Sequence, residues 1–196
     1  MSSPGSVRSD ERLRLFLALR LPPDVLDAVA AWQARELGDG GRADSRRIVP
    51  RKDLHVTLAF LGSRPAHDLR EIVAALDAAT TGAPPIALEI ERYRETRSVG
   101  MLVLREPAGA AAELANDLHE RLEALGLYGR ESRPWLPHIT VVRFRNERRS
   151  QPVPTRLGRP LLGAFAPSDA AVFLSRLHPS GARYEVLETR SLQRRK

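Results

Sequence analysis

No cysteine occurs in the 196-residue chain, which excludes disulfides, zinc–thiolate sites and a thiol nucleophile in one step. Lysine is almost missing as well, with Lys52 and Lys196 the only two. Aromatic residues amount to 5%, little material for stacking the bases of a single strand. No apolar run approaches the roughly 18 residues that a membrane span needs, and the opening MSSPGSVRSDER has no apolar signal-peptide core. The expectation is a soluble, cytoplasmic protein with no membrane partner. Neither G-x-S-x-G nor G-x-x-x-x-G-K-[ST] is present, so nucleophile-elbow hydrolases and P-loop NTPases have no foothold.

What the chain does hold is apolar residues at 42% and charge at 28%, with 31 Lys+Arg against 24 Asp+Glu, a formal +7 and a pI near 10.8. Such a balance favours polyanions such as nucleic acid, and arginine forks suit phosphate. A high-G+C genome gives the same Arg and Ala bias, so composition alone does not decide.

Residues 1–10 read as a disordered tail, and the length of 11–196 is compatible with one domain or two small lobes. LRLFLAL, from Leu13, has strand length. Pro22, Pro23 and Asp24 open a helix that stops at Gly38, with Val25, Val29 and Trp32 at helical spacing. Gly38–Arg47 reads as a flexible basic loop. A second helix follows Pro65, with Leu69, Ile72, Val73 and Leu76 on one face. Strands PIALEIE and VGMLVLR precede a third helix from Pro107 to Leu125, striped by Leu114, Leu118, Leu122 and Leu125 and stopped by Gly126. Asn146–Gly163 is Arg-, Pro- and Gly-rich and reads as a surface loop, and strands AAVFLSRL and YEVLETR close the chain around HPSGAR. Several strands adjoin through hairpin-length links, which predicts an α+β fold with mainly antiparallel pairing over a doubly wound parallel sheet.

Two strands stand out. LHVTLAF and PHITVVRF each carry a histidine and a threonine two apart, His55 with Thr57 and His138 with Thr140. Residues two apart share a strand face, so each strand presents one imidazole and one hydroxyl while Val56, Leu58 and Phe60 of the first, and Ile139 and Val141 of the second, face a core. Imidazole is acid or base near neutrality. A neutral one can deprotonate water while a charged one protonates a leaving oxygen, and the hydroxyls can bond nonbridging phosphoryl oxygens. The pattern points to phosphodiester cleavage without a cofactor or metal, with a bell-shaped pH profile around neutrality. A lone His-x-Thr is more often a satisfied core histidine; two copies 138 − 55 = 83 positions apart carry the argument.

The quoted segments, with R-L-F-L-A-L-x-L-P, V-P-x-x-D-L-H and G-A-R-Y-E-V-L, resemble the 2H phosphoesterase superfamily, most closely its RNA 2′,3′-cyclic phosphodiesterase branch, historically called 2′-5′ RNA ligases. The resemblance runs from Arg14 to Leu187. It implies a single bilobal domain over 11–196, two pseudo-symmetric lobes of mainly antiparallel sheet flanked by helices, with a central groove between the two motifs. It implies hydrolysis of a terminal 2′,3′-cyclic phosphate to a 2′-monophosphate, and reversible 2′-5′ ligation. It also implies His55 as proton donor, His138 as acceptor, and Thr57, Thr140 and Arg143 as phosphate-binding. The chemistry of the residues alone is symmetric between the two histidines.

Strict alternation puts Arg143 on the face opposite His138: either a bulge or a strand end re-aims it, or it is an ordinary solvated arginine. The family's middle hairpin often bears an aromatic and a Pro-Arg run ending in Trp; ERYRETRSVGMLVLR offers Tyr93 alone. Expected partners are RNA with a 2′,3′-cyclic phosphate end or a small cyclic nucleotide, acted on by a monomer. The rival reading is a non-catalytic RNA-binding module whose basic groove is rimmed by Arg42, Arg46, Arg47, Arg51, Arg148, Arg149, Arg156 and Arg159. His67 and His119 read as surface residues and His178 as a turn residue. Asp53 reads as turned away from His55.

Overall fold

A computed structural model describes residues 11–38, 46–130, 132–144, 157–178 and 181–192. The expected tail 1–10, most of the loop 38–47, residues 146–156 and part of the HPSGAR turn lie outside the described residues, and Arg42, Arg148, Arg149 and Arg156 lie there too.

Among the described residues, eight strands and three α-helices follow one another as β1 (Arg12–Arg20), α1 (Pro23–Leu37), β2 (Arg46–Ile48), β3 (His55–Pro65), α2 (Leu69–Thr81), β4 (Glu89–Glu95), β5 (Val99–Arg105), α3 (Ala110–Ala124), β6 (His138–Phe144), β7 (Asp169–Arg176) and β8 (Arg183–Ser191). Their pairing order is β4-β5-β6-β3-β1-β7-β8, with β2 added to β6, and every pair is antiparallel. Two groups are visible: β3, β1, β7 and β8 form one, and β4, β5, β6 and β2 the other. They meet where β3 pairs with β6 at Val56↔Ile139.

The local reasons are in the sequence. Pro22 and Pro23 supply fixed φ where a helix has no use for an amide hydrogen, and Asp24 and Arg35 complement the two ends of α1. After α3, Gly126 takes φ 68°. Its amide bonds Glu123 O and that of Leu127 bonds Leu122 O, the two bonds of a Schellman stop. Leu125 therefore sits beyond the last turn and is 45% exposed, so the apolar stripe ends at Leu122. The expected loop 38–47 extends too far: Arg46–Ile48 is a strand on β6. PIALEIE starts its strand later than expected, at Glu89, with Leu88 bridging to Phe165.

All three helices bury their apolar faces in one core with Leu15, Leu17, Leu19, Val56, Leu58, Ile139 and Val141. Each fully buried Leu or Ile contributes roughly 1.5–3 kcal/mol. A second cluster, Phe16, Ala18, Ala171 and Phe173 with Tyr184 against it, lies apart from that core. Phe16 and Ala18 alternate with Leu15, Leu17 and Leu19 along β1, so the second cluster occupies the other face of the sheet.

Candidate active site

The Val56↔Ile139 pair sets the site. Partners in an antiparallel register point to the same side, and here both are fully buried in the core. Their sequence neighbours therefore project to the opposite side, which brings His55, Thr57, His138 and Thr140 to one face. The antiparallel direction crosses them: His55 lies toward Thr140 and Thr57 toward His138. Trp135 fastens this junction by donating its indole N–H to Thr57 O at 3.0 Å.

Both imidazoles are held the same way. His55 Nδ1 lies 2.6 Å from Asp53 O, and His138 Nδ1 lies 2.9 Å from Leu136 O. A carbonyl can only accept, so Nδ1 carries the proton in each ring and Nε2 is left as the working nitrogen. His55 is packed among Phe16, Phe173 and Tyr184, with ring centroids at 4.9, 5.8 and 5.5 Å. Burial among these rings lowers its pKa from 6.5 to about 4; the Asp53 carbonyl opposes the shift, and Arg143 and His138 add to it by charge repulsion.

A groove of about 430 Å³ opens on this face, and Arg14, Phe16, Arg47, Asp53, His55, Thr57, Phe60, Arg143 and Tyr184 are among its walls. His138 and Thr140 do not line this cavity; their place beside it follows from the β3–β6 register and from the field of His138 at His55. Arg143 reaches the His55 side through a bulge: Gly100 pairs with Val142 and Met101 with Thr140, so Val141 has no partner on β5. The alternation shifts by one residue there.

Several groove residues escape a reading of the sequence. Asp53 lies in a 3₁₀ turn, Arg51–Asp53, where strand alternation does not apply. It is buried against the groove, and desolvation raises its carboxyl pKa against the pull of Lys52 and Arg47. Phe60, expected in the core, is instead 49% exposed and lines the groove, because a bulge at Leu58 shifts the alternation of β3, and it carries the Arg14 guanidinium 4.7 Å above its ring. The groove arginines are Arg14, Arg47 and Arg143. Of the expected rim, Arg51 is paired with Asp27 at 2.6 Å and Arg159 donates to Ile90 O. Tyr93 is buried against Trp32 and bonds Glu95 at 2.7 Å, away from the groove.

Of the remaining histidines, His67 and His178 are exposed. His119 is 4% exposed, stacks on Tyr128 at 4.7 Å and bonds Leu58 O at 2.8 Å, which corrects its reading as a surface residue. Among the described residues no three His, Cys, Asp or Glu side chains gather as a metal-binding group, and no helix is long and apolar enough to cross a membrane.

A family model described as the 2′-5′ RNA ligase superfamily matches residues 21–179. The RNA 2′,3′-cyclic phosphodiesterase of Escherichia coli K12 is 31% identical over 147 residues, 74% of this chain and 79% of that protein. The protein of the same name from Thermus thermophilus is 30% identical over 195 residues, 92% of this chain and 91% of that one. Among solved structures, E. coli LigT complexed with 3′-AMP superposes with a TM-score of 0.76 at 24% identity, covering 94% of this chain and all of that one. A crystal structure from Thermus thermophilus superposes with a TM-score of 0.75 at 26% identity, covering 94% of this chain and 100% of that one.

Proposed function

The chain belongs to the 2′-5′ RNA ligase superfamily, and from that premise we propose that it is an RNA 2′,3′-cyclic phosphodiesterase that uses His55 and His138 as a metal-independent acid–base pair. The observation that carries this is the Val56↔Ile139 register, which sets two His-x-Thr pairs on one face in crossed orientation. Relatives of the same name support the substrate class.

In this reading the cyclic phosphate sits between the imidazoles. The Thr57 and Thr140 hydroxyls and the Arg143 guanidinium bond its nonbridging oxygens, stabilising charge as it builds in the transition state. One neutral Nε2 takes a proton from water as the water oxygen attacks phosphorus. The P–O3′ bond breaks in line, and the other imidazolium protonates the departing 3′ oxygen. The product is a 2′-phosphomonoester with a free 3′-hydroxyl. With a 5′-hydroxyl in place of water as the attacking nucleophile, the same step breaks the P–O3′ bond and joins the phosphate to a second strand through a 2′-5′ bond, and its reverse cleaves that bond. Water's abundance favours hydrolysis.

The family pattern makes His55 the donor. Its environment in the free protein argues for the opposite assignment, because a pKa near 4 leaves the ring neutral at pH 7 and ready to accept a proton. The donor role instead requires the anionic phosphodiester to raise that value on binding. A dinucleotide ending in a 2′,3′-cyclic phosphate, incubated with the protein, should yield the 2′-monophosphate. A 3′-monophosphate product contradicts the family-derived cleavage, and RNA binding with no turnover supports the non-catalytic module.

A further inference from the structure

We propose that Gln33 and His119 are positioning residues that hold two bulges open, and through them aim Arg143 and Phe60 into the groove; the inference rests on the reading of this groove as the catalytic one. Neither side chain touches the groove. Both are buried polar residues on helix faces that otherwise serve the core, at 3% and 4% exposure.

The two His-x-Thr strands share an irregularity as well as a motif. In β6, Val141 has no partner on β5. In β3, Leu17 pairs with Ala59 and Ala18 with Thr57, so Leu58 has no partner on β1. Each extra residue comes directly after the threonine. Each is followed by a second buried residue, Val142 after Val141 and Ala59 after Leu58, where a regular strand would turn outward. The shift carries the fifth residue after each histidine to the histidine's own face: Arg143 after His138 and Phe60 after His55, both groove-lining.

A bulge disrupts the ladder around its extra residue, and a buried carbonyl left without a partner is penalised. Both bulge carbonyls accept a side-chain donor from a helix, which for Val141 O is a second partner. Val141 O accepts Gln33 Nε2–H at 2.8 Å beside the Val49 amide at 3.0 Å, and the same Gln33 amide reaches Val49 O at 3.0 Å. Leu58 O accepts His119 Nε2–H at 2.8 Å. The helices are exchanged between halves: α1 precedes β3 yet supports β6, and α3 precedes β6 yet supports β3. Without the donors, Leu58 O loses its side-chain partner and Val141 O and Val49 O lose one bond each, which weakens both bulges; regular alternation would turn Arg143 and Phe60 away from the reacting phosphate.

A double-mutant cycle tests this on kcat/KM for a cyclic-phosphate dinucleotide and on the Kd of inorganic phosphate. Gln33→Met keeps the volume and removes the donors. It should lower kcat/KM about tenfold in the wild-type background and less than about twofold in Arg143→Ala, since residues acting through one another are non-additive. Equal losses in both backgrounds, or no loss, overturn the proposal. If Gln33→Met does not fold, His119→Phe with Phe60→Ala gives the same test, with His119→Gln, which retains a donor, restoring activity. A wild type that binds phosphate but does not turn over refutes the proposed reaction, and the phosphate Kd cycle still decides the positioning. A crystal structure of Gln33→Met with Val141 still bulged and Arg143 in the groove also overturns the proposal.

Discussion

Val56 and Ile139, 83 positions apart in the chain, face each other across the one register pair that joins β3 to β6, both fully buried. Their contact decides that two histidines and two threonines, remote in sequence, share a face. Substituting Val56 by Ala leaves a cavity where the two halves join, and large-to-small core changes of this kind cost on the order of 1–3 kcal/mol. The functional consequence of the pair is better tested at the groove.

His55 titration should be visible in stability. Its pKa falls from 6.5 in the unfolded chain to about 4 in the fold. Between those values the unfolded chain binds a proton that the native chain refuses, so native stability declines as pH drops from about 6.5 to about 4, by at most about 3 kcal/mol, and this contribution is absent above pH 6.5. Thermal melts of His55→Gln in a phosphate-free buffer should show a shallower Tm decline over that window than wild type. Identical slopes would mean that burial does not depress the His55 pKa. The same shift moves one limb of the kcat/KM profile toward pH 4, below the near-neutral bell expected of two ordinary imidazoles.

The donor can be identified chemically. A substrate with sulfur in place of the bridging 3′ oxygen has a leaving group that needs no proton. If His55 is the donor, the thio substrate should recover most of the activity lost in His55→Ala and none of that lost in His138→Ala. Rescue of His138→Ala alone would reverse the roles, in keeping with a neutral His55 in the free protein.

Gly100 marks a second constraint beside the Val141 bulge. A Cβ there would collide with the Tyr93 hydroxyl and sit 2.6 Å from Val142 Cγ1. Val142 is fully buried and paired with Gly100, so it has little room to yield. Gly100→Ala should cost about 1–3 kcal/mol by overpacking, read as a lower denaturation midpoint, and an unchanged midpoint would mean that the Tyr93 ring swings away freely.

Most of the fold was legible because its elements obey simple periods. VGMLVLR is β5 residue for residue, and Pro23, Asp24 and Gly38 bound α1 as expected. The shared face of His55 and Thr57 follows from a spacing of two. Illegible parts have physical reasons. Arg46–Ile48 is too short and polar to look like a strand, and it is one only because β6 offers an edge. LRLFLAL is apolar at nearly every position, so no alternation reveals that Phe16 and Ala18 belong to the second cluster while Leu15 and Leu17 face the core.

His119 was misplaced because a histidine beside Glu120 resembles a solvated helix face, and its partner, Leu58 O, lies 61 positions away. Gln33 raised no expectation for the same reason. Consecutive apolar residues after each threonine, Leu58–Ala59 and Val141–Val142, were the available signal for the bulges. Read strictly, alternation alone would have sent Arg143 to the wrong face.

The central claim is that His55 and His138 work as one catalytic unit. The most direct measurement is kcat/KM for an RNA ending in a 2′,3′-cyclic phosphate, in excess EDTA, for wild type, His55→Ala, His138→Ala and the double variant. Each single change should remove on the order of 10²–10⁴-fold, and the double should fall little below the worse single, as members of one unit do. Near-wild-type turnover in either single variant, or a wild type silenced by EDTA and restored by a divalent metal, would contradict the two-histidine account.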